Sequence, residues 1–361
     1  MTARLKRVCN LRHTAIASRA KCVQYSLMSP RILTAALVAF FSSLPAHAQA
    51  PDVPIESSAP LNLNAALLEK AKALREGGKL LTAAKITELL KAPVAAPITL
   101  PEPATKPLAS REVADRARQA YLRLGWYYLC PRCEHWHLNL AAAYAISADG
   151  GAATCHHVVV PAKDMREGYL LAVDHAGNVL AVTGVLAKSQ TMDVAILHID
   201  GGDFTPLPLN DQVAPGDAAF CLSDPLGQLG YLSRGIVNRF FRNRESTAAP
   251  GSLDELKHLR VNVSTDWAPG SSGAAVLDEC GNAIGHVSTI SPMSEDEGST
   301  APAPDAPKRA GKGKTAQPRA GRFNGATLIT LHEAIPARGV IALARAMNET
   351  AAKAAAEKPA P

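Results

Sequence analysis

The strongest constraint on the fold is a long succession of short apolar runs separated by turn residues, which begins at Leu138. One representative stretch is the run Leu170–Val173, the turn His175–Asn178 and the run Val179–Val182. Many short strands punctuated by Gly, Asn, Asp and Pro favour an all-β barrel or sandwich. The further strand candidates are Asp193–Ile199, Ala218–Leu222, Gly230–Phe241, Leu259–Ser264, Ala274–Leu277 and Ala283–Ile290. The sequence therefore predicts a mainly β domain.

A small helical segment is predicted before this domain, within residues 51–108. Leucines recur at near-helical spacing over residues 61–91 and are interrupted by Gly77 and Gly78, which predicts a helical hairpin. Five prolines then make residues 93–107 a stiff linker. A third helix is expected from Ser110, as its cap, to about Leu124, packed on the β domain rather than on the hairpin.

The first fifty residues have the composition of an export signal. They contain seven Lys or Arg and no acidic residue, and they end in the apolar run Ile32–Phe41 followed by small residues. This pattern predicts a signal peptide cleaved after Ala48 or Ala50, hence a periplasmic or secreted protein. The run is shorter than the ~20 residues that a spanning helix needs. Met28 is a candidate for the true start, and an Arg-rich transit peptide is the alternative.

Charge gives little support for a nucleic-acid partner. The chain has a formal charge of +6, and removal of the leader leaves about −1. The one basic cluster lies in residues 308–322, within a segment, 291–322, that is rich in Pro, Ser, Ala and Lys. We expect this segment to be a disordered insert or an exposed flap; binding to a membrane or polyanion stays open.

Three short stretches carry residues for nucleophilic catalysis. Thr154–Val159 contains His157, Asp193 opens the apolar run that ends at Leu197, and Pro269–Gly273 contains Ser272. A serine hydroxyl needs a neutral imidazole to accept its proton, and a carboxylate to fix the imidazole tautomer. His157, Asp193 and Ser272 are therefore candidate catalytic residues, in that chain order. The amides of Gly270 and Ser272 are candidate oxyanion-hole donors.

Five motifs in this order resemble the trypsin-like, chymotrypsin-fold serine peptidases, in particular the bacterial HtrA/DegP-like branch. They are Ala145–Gly150, Thr154–Val158, Asp193–Leu197, Ser223–Gly227 and Gly270–Gly273. The resemblance implies two six-stranded β-barrels with the site between them, over residues 109–346. It also implies a carboxyl-terminal helix ending near Ala346, followed by a flexible tail, 347–361.

The same resemblance implies a chemistry. His157 rather than His156 is the base, and protein or peptide substrates are cleaved through an acyl-enzyme on Ser272 without a metal or organic cofactor. Ser288, Thr289 and Ile290 would form the strand that pairs with the substrate backbone. No PDZ-sized segment follows residue 346, so peptide-sensing regulation is not implied. A catalytically inactive binding module with this fold is the alternative.

Two features depart from the family pattern or allow two readings. Ser271 stands before the nucleophile, where the family usually has Asn or Asp. Ala274-Ala275 follows Gly273, where the family has Gly-Pro. These substitutes are small, and we interpret them as tolerated. Asp266 lies six residues before Ser272, the offset at which trypsins hold the carboxylate that binds Lys or Arg. It also matches a Thr-Asp pair of the HtrA branch. We favour this second interpretation, because the first would bury a carboxylate that has no cation beside it, which is costly.

The cysteines allow several structures. Five follow the leader, and an odd number in an oxidising compartment predicts at least one free thiol or an intermolecular partner. Cys130 and Cys133 are candidates for a local disulfide or, together with His135 and His137, for a metal site; two unpaired thiols are the third alternative. Cys221 and Cys280 are a second candidate disulfide. A metal-dependent redox or structural module at this cluster would leave the three catalytic candidates unexplained.

Overall fold

The computed structural model describes residues 64–163, 165–243, 248, 252–294 and 327–357. The predicted leader and most of the predicted insert lie outside these residues. The helices are α1 Ala65–Glu76, α2 Ala83–Lys91, α3 Ser110–Ala120, α4 His156–Val159, α5 Leu253–Leu256 and α6 Ala337–Ala356. The strands are β1 Leu81–Thr82, β2 Tyr121–Leu129, β3 Trp136–Ala145, β4 Gly151–Thr154, β5 Gly168–Val173, β6 Val179–Ser189, β7 Val194–Asp200, β8 Ala218–Ser223, β9 Tyr231–Arg242, β10 Leu259–Val263, β11 Ala275–Leu277, β12 Ala283–Ser294 and β13 Thr327–Pro336.

The strands form two antiparallel barrels. In the first, β2, β3, β4, β7, β6 and β5 are neighbours in that order, and pairing of β5 with both β2 and β6 closes the ring. In the second, β8, β9, β10, β13, β12 and β11 form the closed ring. The two rings and the helix α6 confirm the predicted chymotrypsin-type fold class. Within the described residues, no helix is both long and apolar enough to cross a membrane.

The amino-terminal helices pack on the first barrel. The side chains of Asn64 and Thr82 accept the N–H groups of Leu67 and Lys85 and so cap α1 and α2, contacts that stabilise a helix by about 1 kcal/mol each. Ile86 of α2 is fully buried in the core of the barrel, which contributes about 1.5–3 kcal/mol. The predicted hairpin is present, and β1, between its helices, adds a strand to the barrel by pairing with β5.

The proline-rich linker, residues 93–109, crosses the surface without helix or strand and is held by two asparagines. Asn348 of α6 accepts the N–H of Ile98 at 3.0 Å and donates to its carbonyl at 2.9 Å. Asn282, before β12, makes the same pair of bonds with Ala104, at 2.7 and 2.8 Å. The linker is therefore fastened to the second barrel and to its helix.

Both predicted boundaries of the third helix are wrong. The third helix ends at Ala120 instead of Leu124, because the following residues form β2, with Leu122 and Leu124 buried in the first barrel. Its cap position is held by Ala109, whose N–H is accepted by the Glu112 carboxylate at 2.7 Å, so Ser110 lies inside the helix.

At the carboxyl end, α6 continues to Ala356, so the predicted flexible tail begins as helix. Residues 291–294 of the predicted insert are strand, because they continue the ladder between β12 and β13.

Candidate active site

His157 stands at the entrance to the cleft between the barrels. The strand β4 ends at Thr154, and the single turn α4 follows, with His156 buried and the His157 side chain half exposed. The two neighbouring histidines therefore differ in environment, and His157 is the one that contacts the Asp193 carboxylate. Its Nδ1 lies 2.9 Å from Asp193 Oδ2 and 3.1 Å from Oδ1.

Asp193 is held in place by three donors. The residue precedes β7 with a left-handed backbone, φ +62°. Its carboxylate accepts the backbone N–H of His157 at 3.0 Å and the Ser288 hydroxyl at 2.8 Å, besides the imidazole. Burial raises the pKa of Asp193, but the hydrogen bonds and charge of His157 and the bond from Ser288 outweigh it and lower the pKa to about 2. The carboxylate is ionised at neutral pH.

Ser272 lies in a tight loop fixed to both barrels. Its carbonyl accepts the N–H of Ala142 in β3 at 2.9 Å, and the N–H of Gly273 donates to Val287 in β12 at 2.8 Å. Gly273 has φ +88°, and a Cβ there would overlap the Ala142 carbonyl, so only glycine fits this junction. In the described part of the chain, the Ser272 hydroxyl and the amides of Gly270 and Ser272 make no hydrogen bond.

One cleft of about 290 Å³ brings these groups together. His157, Gly270 and Ser272 line it, with walls that include Trp126 and Asn139. The structure thus places a serine hydroxyl, an imidazole bound to a carboxylate, and two unpaired amides around the same space. Direct contact between Ser272 and His157 is absent in the described residues, and such contacts often tighten only when substrate binds.

An ion pair between the barrels supports the Ser272 loop. Arg123 of β2 donates to the buried Asp224 carboxylate through Nε at 2.6 Å, and the N–H of Gly230 donates to the same group at 2.7 Å. The next residues of this loop reach the nucleophile segment, since the Leu226 N–H donates to Pro269 at 2.8 Å. Sequence reasoning recognised the Ser223–Gly227 motif and missed Arg123. The available signal was Asp224 within that motif, because a buried charge needs a partner.

A second imidazole lies beneath Asp193. The His286 ring is fully buried, and its Nε2 is 3.3 Å from the main-chain oxygen of Asp193. Its Nδ1 has no partner among the described residues. Burial lowers the pKa of His286 to about 4, although the Asp193 charge raises it, while the charges of His157 and Arg260 lower it further. The ring is therefore neutral at physiological pH and is a donor that supports the Asp193 backbone.

This environment predicts a pH-dependent stability. The folded pKa of His286, about 4, lies below the ordinary value of 6.5, so between these values the unfolded chain binds more protons. The free energy of unfolding is therefore unaffected by this residue above pH 6.5. It falls by about 3 kcal/mol through protonation of His286 in the unfolded chain as the pH drops towards 4. In denaturant titrations at pH 7.5 and 4.5, the variant His286→Gln is expected to lose correspondingly less stability than wild type. His175→Gln, in an exposed turn, is the control; equal losses in all three proteins would contradict the assignment.

The predicted substrate-binding residues lie in different environments, outside the lining of the cleft. The Ser288 side chain is buried against Asp193, and the Thr289 carbonyl accepts the Trp267 indole N–H at 3.1 Å. Asp266 is exposed, and its N–H donates to the Ser233 hydroxyl at 2.8 Å. None of Asp266, Ser288, Thr289 and Ile290 is among the residues lining the cleft around Ser272.

The predicted disulfides are not present. All five described cysteines are free thiols. Cys221 is buried in β8, where it lies opposite Val276 of β11, whereas Cys280 lies in the turn beyond β11. The Cys133 sulfur contacts His137 Nε2 at 3.0 Å, and His135 is turned to the Cys133 carbonyl, at 2.5 Å.

Residues 142–285 match the family described as trypsin-like peptidase domain, which confirms the resemblance to trypsin-like peptidases over these residues. HhoB, a candidate serine protease of Synechocystis sp., is 28% identical over 149 residues, a match that covers 40% of this chain and 33% of HhoB. The chain thus spans about a third of the length of that curated relative.

Two solved structures are similar to this chain. The serine endoprotease from Yersinia pestis is 16% identical, with a TM-score of 0.42, and the match covers 68% of each chain. The HtrA-type protease AlgW with a decapeptide is 17% identical, with a TM-score of 0.46, and the match covers 68% of this chain and 69% of that one.

Proposed function

We propose that this chain, which contains a trypsin-like peptidase domain, is a serine endopeptidase that cleaves peptide bonds through an acyl-enzyme on Ser272. The observation that carries the proposal is the pairing of His157 with the ionised Asp193 at a cleft that Ser272 also lines. Structural ion pairs of His and Asp are common by themselves. Here the same cleft also holds a serine, in a loop whose amides are unpaired. The His–Asp pair can therefore act as the base for a reaction at that serine.

The proposed reaction proceeds in two halves. His157 Nε2 takes the proton of the Ser272 hydroxyl as its oxygen attacks the substrate carbonyl, while the Asp193 carboxylate keeps Nδ1 protonated and stabilises the imidazolium. The imidazolium then gives its proton to the leaving amine, and the acyl-enzyme forms. Water, deprotonated by the same imidazole, releases the second product and restores Ser272. Each half passes through a tetrahedral oxyanion, which the amides of Gly270 and Ser272 would stabilise.

The Gly270 amide can be tested by a backbone change. Gly270 has φ +103°, and a Cβ there would lie 2.8 Å from the Asp224 carbonyl, so Gly270→Ala must shift the loop that carries the donor. We expect kcat/KM to fall by about 10²–10³, the usual cost of one oxyanion donor. Gly216→Ala is the matched control, since Gly216 has φ +100° but no atom near its added Cβ. Equal activity in the two variants would remove Gly270 from the proposal.

Substrate class and location are parts of the same proposal. An open cleft between barrels suits an extended protein or peptide segment. The exposed position of Asp266, outside the lining of this cleft, favours its match to the Thr-Asp pair of the HtrA branch over a role in selecting Lys or Arg. The cationic, then apolar, composition of residues 1–50 supports export to the periplasm or the cell exterior.

A fluorophosphonate probe tests the function directly, because it reacts only with a serine whose hydroxyl is activated. The purified chain is expected to be labelled at Ser272, as mapped by peptide mass spectrometry, and to hydrolyse unfolded casein until the probe is added. A folded protein that binds casein but is neither labelled nor able to cleave it would instead be a binding module with a protease fold.

A further inference from the structure

The turn between β2 and β3 gathers three metal-ligating atoms. The sulfurs of Cys130 and Cys133 and one ring nitrogen of His137 all lie within 4.8 Å of one another. Cys133 Sγ and His137 Nε2 are 3.0 Å apart. In a tetrahedral zinc site with ordinary bond lengths, two sulfur ligands are about 3.8 Å apart, and a sulfur and a nitrogen about 3.5 Å. The contact between Cys133 and His137 therefore needs to open by only about 0.5 Å to match the spacing of two ligands on one zinc ion.

Backbone hydrogen bonds close the turn that carries these ligand atoms. The Cys130 N–H donates to the His135 carbonyl at 2.9 Å, and the Glu134 N–H donates to the Cys130 carbonyl at 3.0 Å. Glu134 adopts φ +58°, which is uncommon for a residue with a side chain. These bonds hold Cys130 and His135 at the two ends of one tight turn, with Cys133 between them.

We propose that Cys130, Cys133 and His137 bind a zinc-like divalent cation. Two thiolates and an imidazole are the soft and borderline donors that zinc prefers. The fourth position is filled by His135 or by water. His135 is exposed and is two residues from both Cys133 and His137, so it can reach the ion only by giving up its contact with the Cys133 carbonyl.

The site has a defined place beside the cleft. It closes the end of the hairpin, where Tyr128 pairs with His137 across β2 and β3. Tyr128 and Cys130 line a cavity of about 240 Å³ together with Asn139 and Met165, and these last two residues also line the cleft of Ser272. The ion would therefore fix the turn that borders this wall. The proposal does not depend on the proposed peptidase activity.

Metal binding by the full chain tests the proposal without an activity assay. The purified protein is reduced, freed of metal with a chelator and titrated with Co²⁺, then with Zn²⁺. We expect thiolate-to-cobalt charge-transfer absorption that saturates at one equivalent, is displaced by Zn²⁺ and accompanies a higher melting temperature. Cys133→Ser and His137→Gln are expected to weaken binding at least 100-fold. Cys280→Ser, which removes a partly exposed thiol elsewhere, should bind as wild type does.

Two results would overturn the site. One is an absence of charge-transfer absorption in the reduced wild type, or an absorption that persists unchanged in Cys133→Ser. The other is a disulfide between Cys130 and Cys133 in protein purified without reductant, shown by peptide mass, if that protein regains no metal affinity on reduction. The variant His135→Asn identifies the fourth ligand, because a loss of affinity assigns His135 and an unchanged affinity assigns water.

Discussion

Replacement of Ser272 by alanine is expected to lower kcat/KM on a peptide substrate by about 10⁴–10⁶-fold, with the fold intact. The reason is that, among the described residues that line the cleft, only Ser272 carries a hydroxyl, and loss of the nucleophile leaves only the contribution of binding and the oxyanion donors. Burst kinetics with an activated ester provide the second readout, because the rapid acylation phase should vanish together with turnover.

The neighbouring serine supplies the matched control for this experiment. Ser271 lies in the same loop, but its hydroxyl is buried and has no hydrogen-bond partner among the described residues. Ser271→Ala removes the same atom from the adjacent position, and we expect an activity within a few-fold of wild type. If the two alanine variants lose activity equally, the loop matters for structure and Ser272 is not the nucleophile.

Conversion of Asp193 to asparagine is expected to lower kcat by about 10⁴-fold, although the side chain keeps its size. An amide can donate to His157 Nδ1, which then holds its proton on Nε2 and cannot accept one from Ser272. The negative charge that stabilises the imidazolium is lost as well. Stopped assays from pH 6 to 10 measure the effect, and the deficit should shrink at high pH, where hydroxide can replace the base.

A second variant separates the charge of Asp193 from its positioning. Ser288→Ala removes one donor, at 2.8 Å, and leaves the carboxylate and its contact with His157 in place. A single bond to a charged group accounts for about 1.5–3 kcal/mol, so we expect a loss of roughly 10- to 100-fold. An Asp193→Asn variant no worse than Ser288→Ala would show that the carboxylate only packs there.

The fold was predictable where turn residues separate short apolar runs. From Gly168 to Ile290 most predicted strands begin and end within two residues of the observed ones, because most of the runs are bounded by Gly, Asn, Asp or Pro. The largest difference is in β6, which continues to Ser189 where the prediction ended at Val182. The strand β2 was missed: it follows a helix without a break, and its apolar residues extend the helical pattern of α3. Long-range pairing with β3 and β5 decides its structure, and local propensity does not.

The sequence predicted the motifs of the candidate site but not the contacts that hold its residues in place. His157, Asp193 and Ser272 stand in local sequence contexts that can be read directly. The pair of Arg123 with Asp224 joins residues 101 positions apart, and the contact of His286 with Asp193 spans 93. No short pattern carries such information, because these contacts exist only after both barrels have closed.

The linker between the helical hairpin and α3 sets a limit on how this protein can be shortened. A recombinant fragment that begins at Ser110 would keep every catalytic candidate, yet it would leave the amide groups of Asn282 and Asn348 without the backbone partners they bind here. It would also uncover the core around Ile98. The smallest autonomous version of this molecule therefore includes a stretch that belongs to neither barrel.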